Sequence, residues 1–308
     1  MDTIQREITR LANIVSGTVG VYALHMETGQ ATGIQADVRF PMASTFKVPI
    51  AVRVLSLVDQ GQLALGQLIE VRPSDLCPGS GMIQSILYQP GLVLSVQNLL
   101  ELMLVISDNT ACDVLLRVAG GPQAVTDFLH AQGIEGVRVD RYTKTMVADK
   151  FGISGLPAGD DWTLGRFRQV YDQLTPEEKT AAAQRFAADE RDTTTPAAMV
   201  RLLAAVYAGD ILVPGSRDVL LNIMQRCQTG EGALKGMLTP DIVVAHKTGT
   251  MGEVVANDVG MITLPFDAGH IAIAVCIQSR EAVGEASSAC QKTIAHIARA
   301  AFDYFLFH

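Results

Sequence analysis

The 308-residue chain reads as an α/β (α+β) protein: an antiparallel sheet of about five strands drawn from both chain ends and flanked by terminal helices, with an all-α domain inserted between them. Three observations predict this. Runs rich in β-branched and aromatic residues, punctuated by turn residues, lie near both ends. The middle carries apolar residues at helical spacing, and helical patterns also open and close the chain. Hydrophobic residues make up 48% and charged residues only 18%, which suits one large or two closely packed domains and excludes a disordered chain.

Residues 3–15 form an amphipathic helical pattern. Thr18-Val19-Gly20-Val21-Tyr22-Ala23-Leu24 then reads as a strand, and Glu27-Thr28-Gly29-Gln30 as the turn of a hairpin. Ser44 precedes the apolar run Val48-Pro49-Ile50-Ala51-Val52-Arg53-Val54-Leu55, and residues 99–104 and 112–118 keep helical spacing until Gly120-Gly121 stops it. Asp161-Trp162-Thr163-Leu164-Gly165 opens another helix, ending near Leu174. Thr175-Pro176-Glu177-Glu178 starts the next, with a capping threonine and a proline in its first turn. Residues 242–247, 257–264 and 270–278 read as strands, with Pro265-Phe266-Asp267-Ala268-Gly269 as a tight turn, and residues 287–306 as a long closing helix. The expected division is a sheet domain of residues 1–38 and 218–308 around an all-α domain of residues 39–217. The latter carries an enlarged helical loop at about 143–190.

A net charge of −8 disfavours nucleic acid or an anionic membrane as the main partner. No 18-residue apolar run predicts a membrane span. Met1-Asp2-Thr3-Ile4-Gln5-Arg6-Glu7 has no apolar core and no cleavage site, so the chain as given is expected to be cytoplasmic, or periplasmic or secreted if a leader has been removed. The five cysteines (Cys77, Cys112, Cys227, Cys276, Cys290) are odd in number, lack metal-type spacing, and read as reduced packing residues. The histidines (His25, His130, His246, His270, His296, His308) show no ligand spacing either, so neither metal nor other cofactor is expected.

Three short motifs carry the chemistry: Ser44-Thr45-Phe46-Lys47, Ser107-Asp108-Asn109 and Lys247-Thr248-Gly249. In the first, a serine at a helix N-terminus shares a face with a lysine one turn on, and the helix dipole favours a developing alkoxide. Lys47 can serve as base if burial and a second cation, for which Lys247 is the candidate, lower its pKa. Ser107-Asp108-Asn109 follows an apolar helix; taken alone, its residues are those of an ordinary helix cap. Gly249 allows a substrate backbone to approach the strand edge, and the Thr250 and Ser44 amides can donate to an oxyanion. His246 should face the side of the strand opposite Lys247 and is read as structural. Together, in this order, the motifs predict acyl transfer through a covalent serine intermediate.

With these motifs, the chain resembles the class A β-lactamase and penicillin-binding-protein superfamily. The resemblance extends through Phe40-Pro41-Met42-Ala43, Val105-Ile106, Thr110-Ala111 and Arg191-Asp192-Thr193-Thr194-Thr195-Pro196-Ala197-Ala198-Met199, and so covers nearly the whole chain. It implies a β-lactamase-like fold with Ser44 as nucleophile, Lys47 as proton acceptor and Ser107 as proton relay. Asn109 would bind a substrate amide, and Lys247 and Thr248 a substrate carboxylate. Arg141 and Asp192 would clasp the base of the loop between them.

The resemblance breaks at the deacylation residues. Class A enzymes follow an Asp-Arg-Trp-like stretch with Glu-x-x-x-Asn, whose glutamate activates water. Here Asp140-Arg141-Tyr142 is followed by Thr143 in the glutamate's place and Val147 in the asparagine's, and neither is a general base. The strand region from Met251 to Asp258 also lacks the cation that many class A enzymes place there. The helical loop reads equally as a functional element, a lid or a partner surface, and as a tolerated surface insertion. The expected function is a serine hydrolase acting on a β-lactam or another amide or ester, poor at β-lactam turnover. Its deacylation would rely on Lys47, Ser107, Glu177, Glu178 or Glu190. An acyltransferase or D,D-peptidase-like enzyme, or a sensor that stays acylated, is the alternative. Oligomeric state is left open.

Overall fold

A computed structural model of the chain describes residues 3–154, 163–252, 254–280 and 285–308; Asp161, Trp162 and Glu253 lie outside them. Helix α1 (Thr3–Ala12) buries Ile4, Ile8 and Leu11, and β1 (Gly17–His25) turns into β2 (Ala31–Ile34) as the hairpin residues predict. A short strand, β3 (Phe40–Pro41), leads through a 3₁₀ turn (Ala43–Phe46) into α2 (Lys47–Asp59), which is buried almost all round. Such a helix belongs at the centre of a core rather than on its surface. The ribbon β4 (Leu68–Glu70) and β5 (Val93–Ser95) precedes α3 (Val96–Val105), α4 (Asn109–Val118) and α5 (Pro122–Ala131).

The expected loop at 143–190 contains three helices rather than two: α6 (Thr143–Phe151), α7 (Leu164–Gln173) and α8 (Pro176–Ala187). Helix α8 has the predicted capping box, Thr175 Oγ1 accepting from the Glu178 amide while the Glu178 carboxylate accepts from the Thr175 amide. β6 (Thr193–Thr194) pairs with β3, and α9 (Pro196–Ala208) and α10 (Pro214–Gln225) return the chain to the sheet. The expected boundary at 217/218 falls inside α10, whose Leu220, Ile223 and Met224 share one apolar cluster with α2, α3 and α4. One rigid helix packed into the helical core cannot be divided there, so the crossing to the sheet comes after Gln225.

The C-terminal part supplies β7 (Val244–Met251), β8 (Val255–Thr263), β9 (His270–Ser279) and α11 (Glu285–Phe307). Among the described residues the main sheet has five strands in the order β2-β1-β9-β8-β7, every pair antiparallel. This is the expected sheet from both chain ends. Alternation along β9 explains its unbroken apolar sequence: Ile271, Ile273, Val275 and Ile277 pack under α1 and α11, while Ala272 and Ala274 face the helical core. The sheet thus lies between two cores, and β7 is its edge strand beside the 3₁₀ turn that carries Ser44.

Candidate active site

Residues at i and i+3 eclipse in a 3₁₀ turn, so the segment Ala43–Phe46 puts Ser44 above Lys47, the first residue of α2. The turn is tightly held. Ala43 has φ 47°, a left-handed backbone costly for a residue with a Cβ. The Met42 amide donates to the Asp192 carbonyl (2.9 Å), and the Met42 carbonyl accepts from Asn257 Nδ2 (3.0 Å) and Thr45 Oγ1 (2.7 Å). These bonds fix the approach to the nucleophile from two distant segments.

Lys47 is fully buried, and its Nζ donates to the Ser107 carbonyl (2.6 Å), Ser107 Oγ (3.0 Å) and Asn109 Oδ1 (2.8 Å). The first two motifs therefore meet at the Lys47 ammonium. Ser107 also has a left-handed backbone, φ 61°. Asp108 caps α4 through the Ala111 amide (2.9 Å) and accepts the Ile83 amide (3.0 Å), so the capping role and the site role coexist. Ser80 Oγ donates to the Ser107 carbonyl (2.8 Å). Gly81, at φ 129°, leaves no room for a Cβ, which would strike the Asp108 carboxylate. Burial lowers the pKa of Lys47 from its ordinary value. Burial first, then the charge of Lys47, pushes Lys247 down to about 7.

Strand β7 corrects one role. Gly249 does not open the edge to a substrate; a Cβ there would stand 2.5 Å from the Met42 carbonyl and 2.9 Å from the Thr45 amide. Its bareness lets the nucleophile turn pack on the strand. Lys247 is fully buried behind the cleft wall and donates to the Thr248 carbonyl (2.9 Å). Thr248 and Thr250 line the cleft with Ser44, Ser107 and Asn109. Thr248 Oγ1 shares a 2.6 Å hydrogen bond with Thr229 Oγ1, and Gln291 lines the same end. His246 faces away from Lys247, its Nδ1 2.9 Å from Asp258.

The opposite wall of this cleft of about 470 Å³ is α6, through Thr143, Met146, Val147 and Lys150, followed by Phe151. The buried Asp113 of α4 accepts the Thr143 (2.6 Å) and Lys144 (3.0 Å) amides and so docks the first turn of α6. Burial pushes the Asp113 carboxyl up to about 6. Arg141 and Asp192 form the expected clasp, Nε to Oδ2 at 2.6 Å, and Asp149 and Asp189 complete it from the other side of the guanidinium. Among the described residues no carboxylate lines the cleft. Glu178 is occupied as a cap, Glu177 and Glu190 are exposed, and no described side chain of α7 or α8 lines the cleft. Of the helical loop, then, α6 forms the cleft wall and the hairpin behind it acts as a buttress. Phe151 packs edge-on against Phe167 and Tyr171, and a Cβ on Gly152 would meet that of Ala182 at 2.6 Å.

Sequence reasoning did not single out Lys150, Thr229, Gln291, Ser80 or Asn257 as site residues. Only Lys150 carried a usable signal, lying three and seven positions after Val147 and Thr143 on one face once the segment is helical. All five cysteines are buried free thiols, with Cys112 pushed up to about 12 by burial. Among the described residues no group of three or more potential ligands could hold a metal, and no helix is long and apolar enough to cross a membrane.

A two-core sheet fold with a serine over a buried lysine, backed by a hydroxyl, an amide and a second lysine, defines a serine hydrolase of the β-lactamase type. The model of the beta-lactamase enzyme family matches residues 3–305. Beta-lactamase VEB-1 of Pseudomonas aeruginosa is 29% identical over 99% of this chain and 91% of its own length; beta-lactamase L2 of Stenotrophomonas maltophilia is 32% identical over 84% and 73%. Among solved structures, a mutant class A beta-lactamase of the last common ancestor of Gram-negative bacteria superposes with a TM-score of 0.79 at 30% identity, covering 99% of this chain and 100% of that one. A mutant of PBP-A, solved as an acyl-enzyme complex with penicillin G, gives 0.76 at 25% identity, covering 98% and 96%. The chain belongs to the beta-lactamase enzyme family.

Proposed function

We propose that Ser44 is acylated by β-lactams, or by a related amide or ester, and that the acyl-enzyme is released slowly. Lys47 takes the Ser44 proton, and Ser107, 3.0 Å from its Nζ, passes it to the leaving nitrogen. The Ser44 and Thr250 amides receive the oxyanion, Asn109 meets the acyl amide, and Thr248 with Lys247 behind it draws the substrate carboxylate. One observation carries the second half of the proposal: the wall facing Ser44 presents Thr143 and Val147, and among the described residues no carboxylate lines the cleft. The means of acylation are present, whereas the usual means of activating water are missing.

Incubation with nitrocefin and with penicillin G, followed by intact-mass spectrometry, tests this. Slow colour change and a long-lived adduct of one penicillin, lost in Ser44→Ala, are expected. Rapid turnover without an accumulating adduct would refute slow release, and an adduct surviving in Ser44→Ala would refute the nucleophile. Faster release on adding an amine acceptor would favour the acyltransferase or D,D-peptidase-like alternative. Indefinite persistence with every acceptor would favour the sensor.

A further inference from the structure

Lys150 is the cation of this cleft that the proposed roles leave unused. It lines the cavity from the last turn of α6, half-buried, and its ammonium stands 5.2 Å from the centre of the Phe151 ring. Among the described residues it has no carboxylate partner: the α6 carboxylate Asp149 pairs with Arg141 and Arg191, Lys144 donates to the Ser74 carbonyl, and Asp113 takes the Thr143 and Lys144 amides. A desolvated ammonium without a counter-charge is costly, and here burial alone depresses its pKa, with no neighbouring charge opposing it. Placed so, it can receive an anion.

Its place along the cleft says which part of a ligand would bring that anion. A Cβ on Gly252 would lie 3.8 Å from Lys150 Nζ, so the ammonium sits at the far end of β7. Gly252 is four residues beyond Thr248, roughly 13 Å at about 3.3 Å per residue of strand. A substrate laid along β7 with its ring carboxylate at Thr248 and its carbonyl over Ser44 would direct its acyl substituent toward the Met251–Gly252 end, beside Lys150. The other lining groups at this end, Met146, Val147, Phe151 and Met251, are apolar, which strengthens an ion pair formed among them. Phe151 is itself held by Phe167 and Tyr171 of the inserted hairpin, so the insertion fixes the Lys150 wall in place.

We propose that Lys150 forms an anion-accepting subsite that selects substrates with a carboxylate on the acyl side chain. The proposal rests on the reading of Ser44 as the acylated nucleophile. The test compares the second-order rate constants for Ser44 acylation by carbenicillin and benzylpenicillin, which differ by one carboxylate on the acyl group, followed by intact-mass spectrometry at low and high salt. The wild-type ratio of carbenicillin to benzylpenicillin should be about 5, the upper end for an ion pair still open to solvent, and should shrink as salt screens it. The ratio should fall to about 1 or below in Lys150→Met, reverse further in Lys150→Glu, and persist in Lys150→Arg. A wild-type ratio at or below 1, or a ratio unmoved by Lys150→Met, would overturn the subsite while leaving Ser44 acylation intact. Absence of an adduct with either penicillin would instead overturn the nucleophile reading and the subsite with it.

Discussion

Replacing Thr143 by glutamate tests the account of slow release most directly. Thr143 is 4% exposed, begins α6 and lines the cleft that contains Ser44. A carboxylate there would sit at a helix N-terminus, which favours its charge, but beside Asp113, whose own carboxyl burial holds at about 6. Burial and the neighbouring Asp113 should hold the new carboxyl above the ordinary carboxylate range, so adduct loss should quicken as pH rises and the group ionises. General-base catalysis contributes about 10² to 10⁴ in rate, some 3 to 5 kcal/mol of barrier. Val147 offers no amide to fix the attacking water, so about 10² is expected for Thr143→Glu alone, with a further increase when Val147→Asn is added. Burying the carboxylate should cost about 1–3 kcal/mol of stability. The assay acylates the enzyme with penicillin G, removes free drug and follows adduct loss by mass between pH 5 and 8, with Thr143→Gln as control. Equal decay in the glutamate and glutamine variants, with both folded and acylated at the wild-type rate, would refute the reasoning.

Three other outcomes follow from the same geometry. Gly249→Ala should drive the Met42–Thr45 turn off β7 and lower acylation by about 10², since displacements of an ångström at a nucleophile cost that much; wild-type acylation would show that the turn is not pinned there. Asp192→Ala removes the acceptor of the Asp140 and Arg141 amides and of Arg141 Nε, leaving a buried guanidinium with Asp149 and Asp189, and should cost about 3 kcal/mol in urea unfolding; a loss below about 1 kcal/mol would remove the clasp from the account. Lys247 attracts a carboxylate only while protonated, so kcat/KM for a carboxylated substrate should fall as pH rises through about 7, and a substrate with that carboxylate esterified should lose this alkaline limb. An identical limb for both substrates would assign it to another group.

Much of the fold was legible because its signals are local. The hairpin turn at Glu27-Thr28-Gly29-Gln30, the capping box at Thr175 and the strand around Lys247 each announce themselves within a few residues. Helix α6 did not, for a physical reason. Its sequence, Thr-Lys-Thr-Met-Val-Ala-Asp-Lys-Phe, mixes β-branched and charged residues, and its first amides are satisfied by Asp113, 30 positions earlier, rather than by a cap of its own. The role given to Gly249 missed for a similar reason, since the atoms that forbid a side chain there belong to Met42 and Thr45.

By itself the sequence picked out the candidate reacting groups: a serine one turn before a lysine, a Ser-Asp-Asn helix start and a Lys-Thr-Gly strand, whose local geometry follows from chain connectivity alone. It also put Thr143 and Val147 where the resemblance leads one to expect a glutamate and an asparagine. Only the tertiary structure decided that Lys47 meets Ser107 and Asn109, 60 and 62 positions away, and that burial with the nearby Lys47 charge lowers Lys247. It alone turned Val147 and Lys150 toward the same cleft as Ser44. Burial and charge proximity are properties of packed neighbours, and those neighbours come from segments whose distance in sequence hides their distance in space.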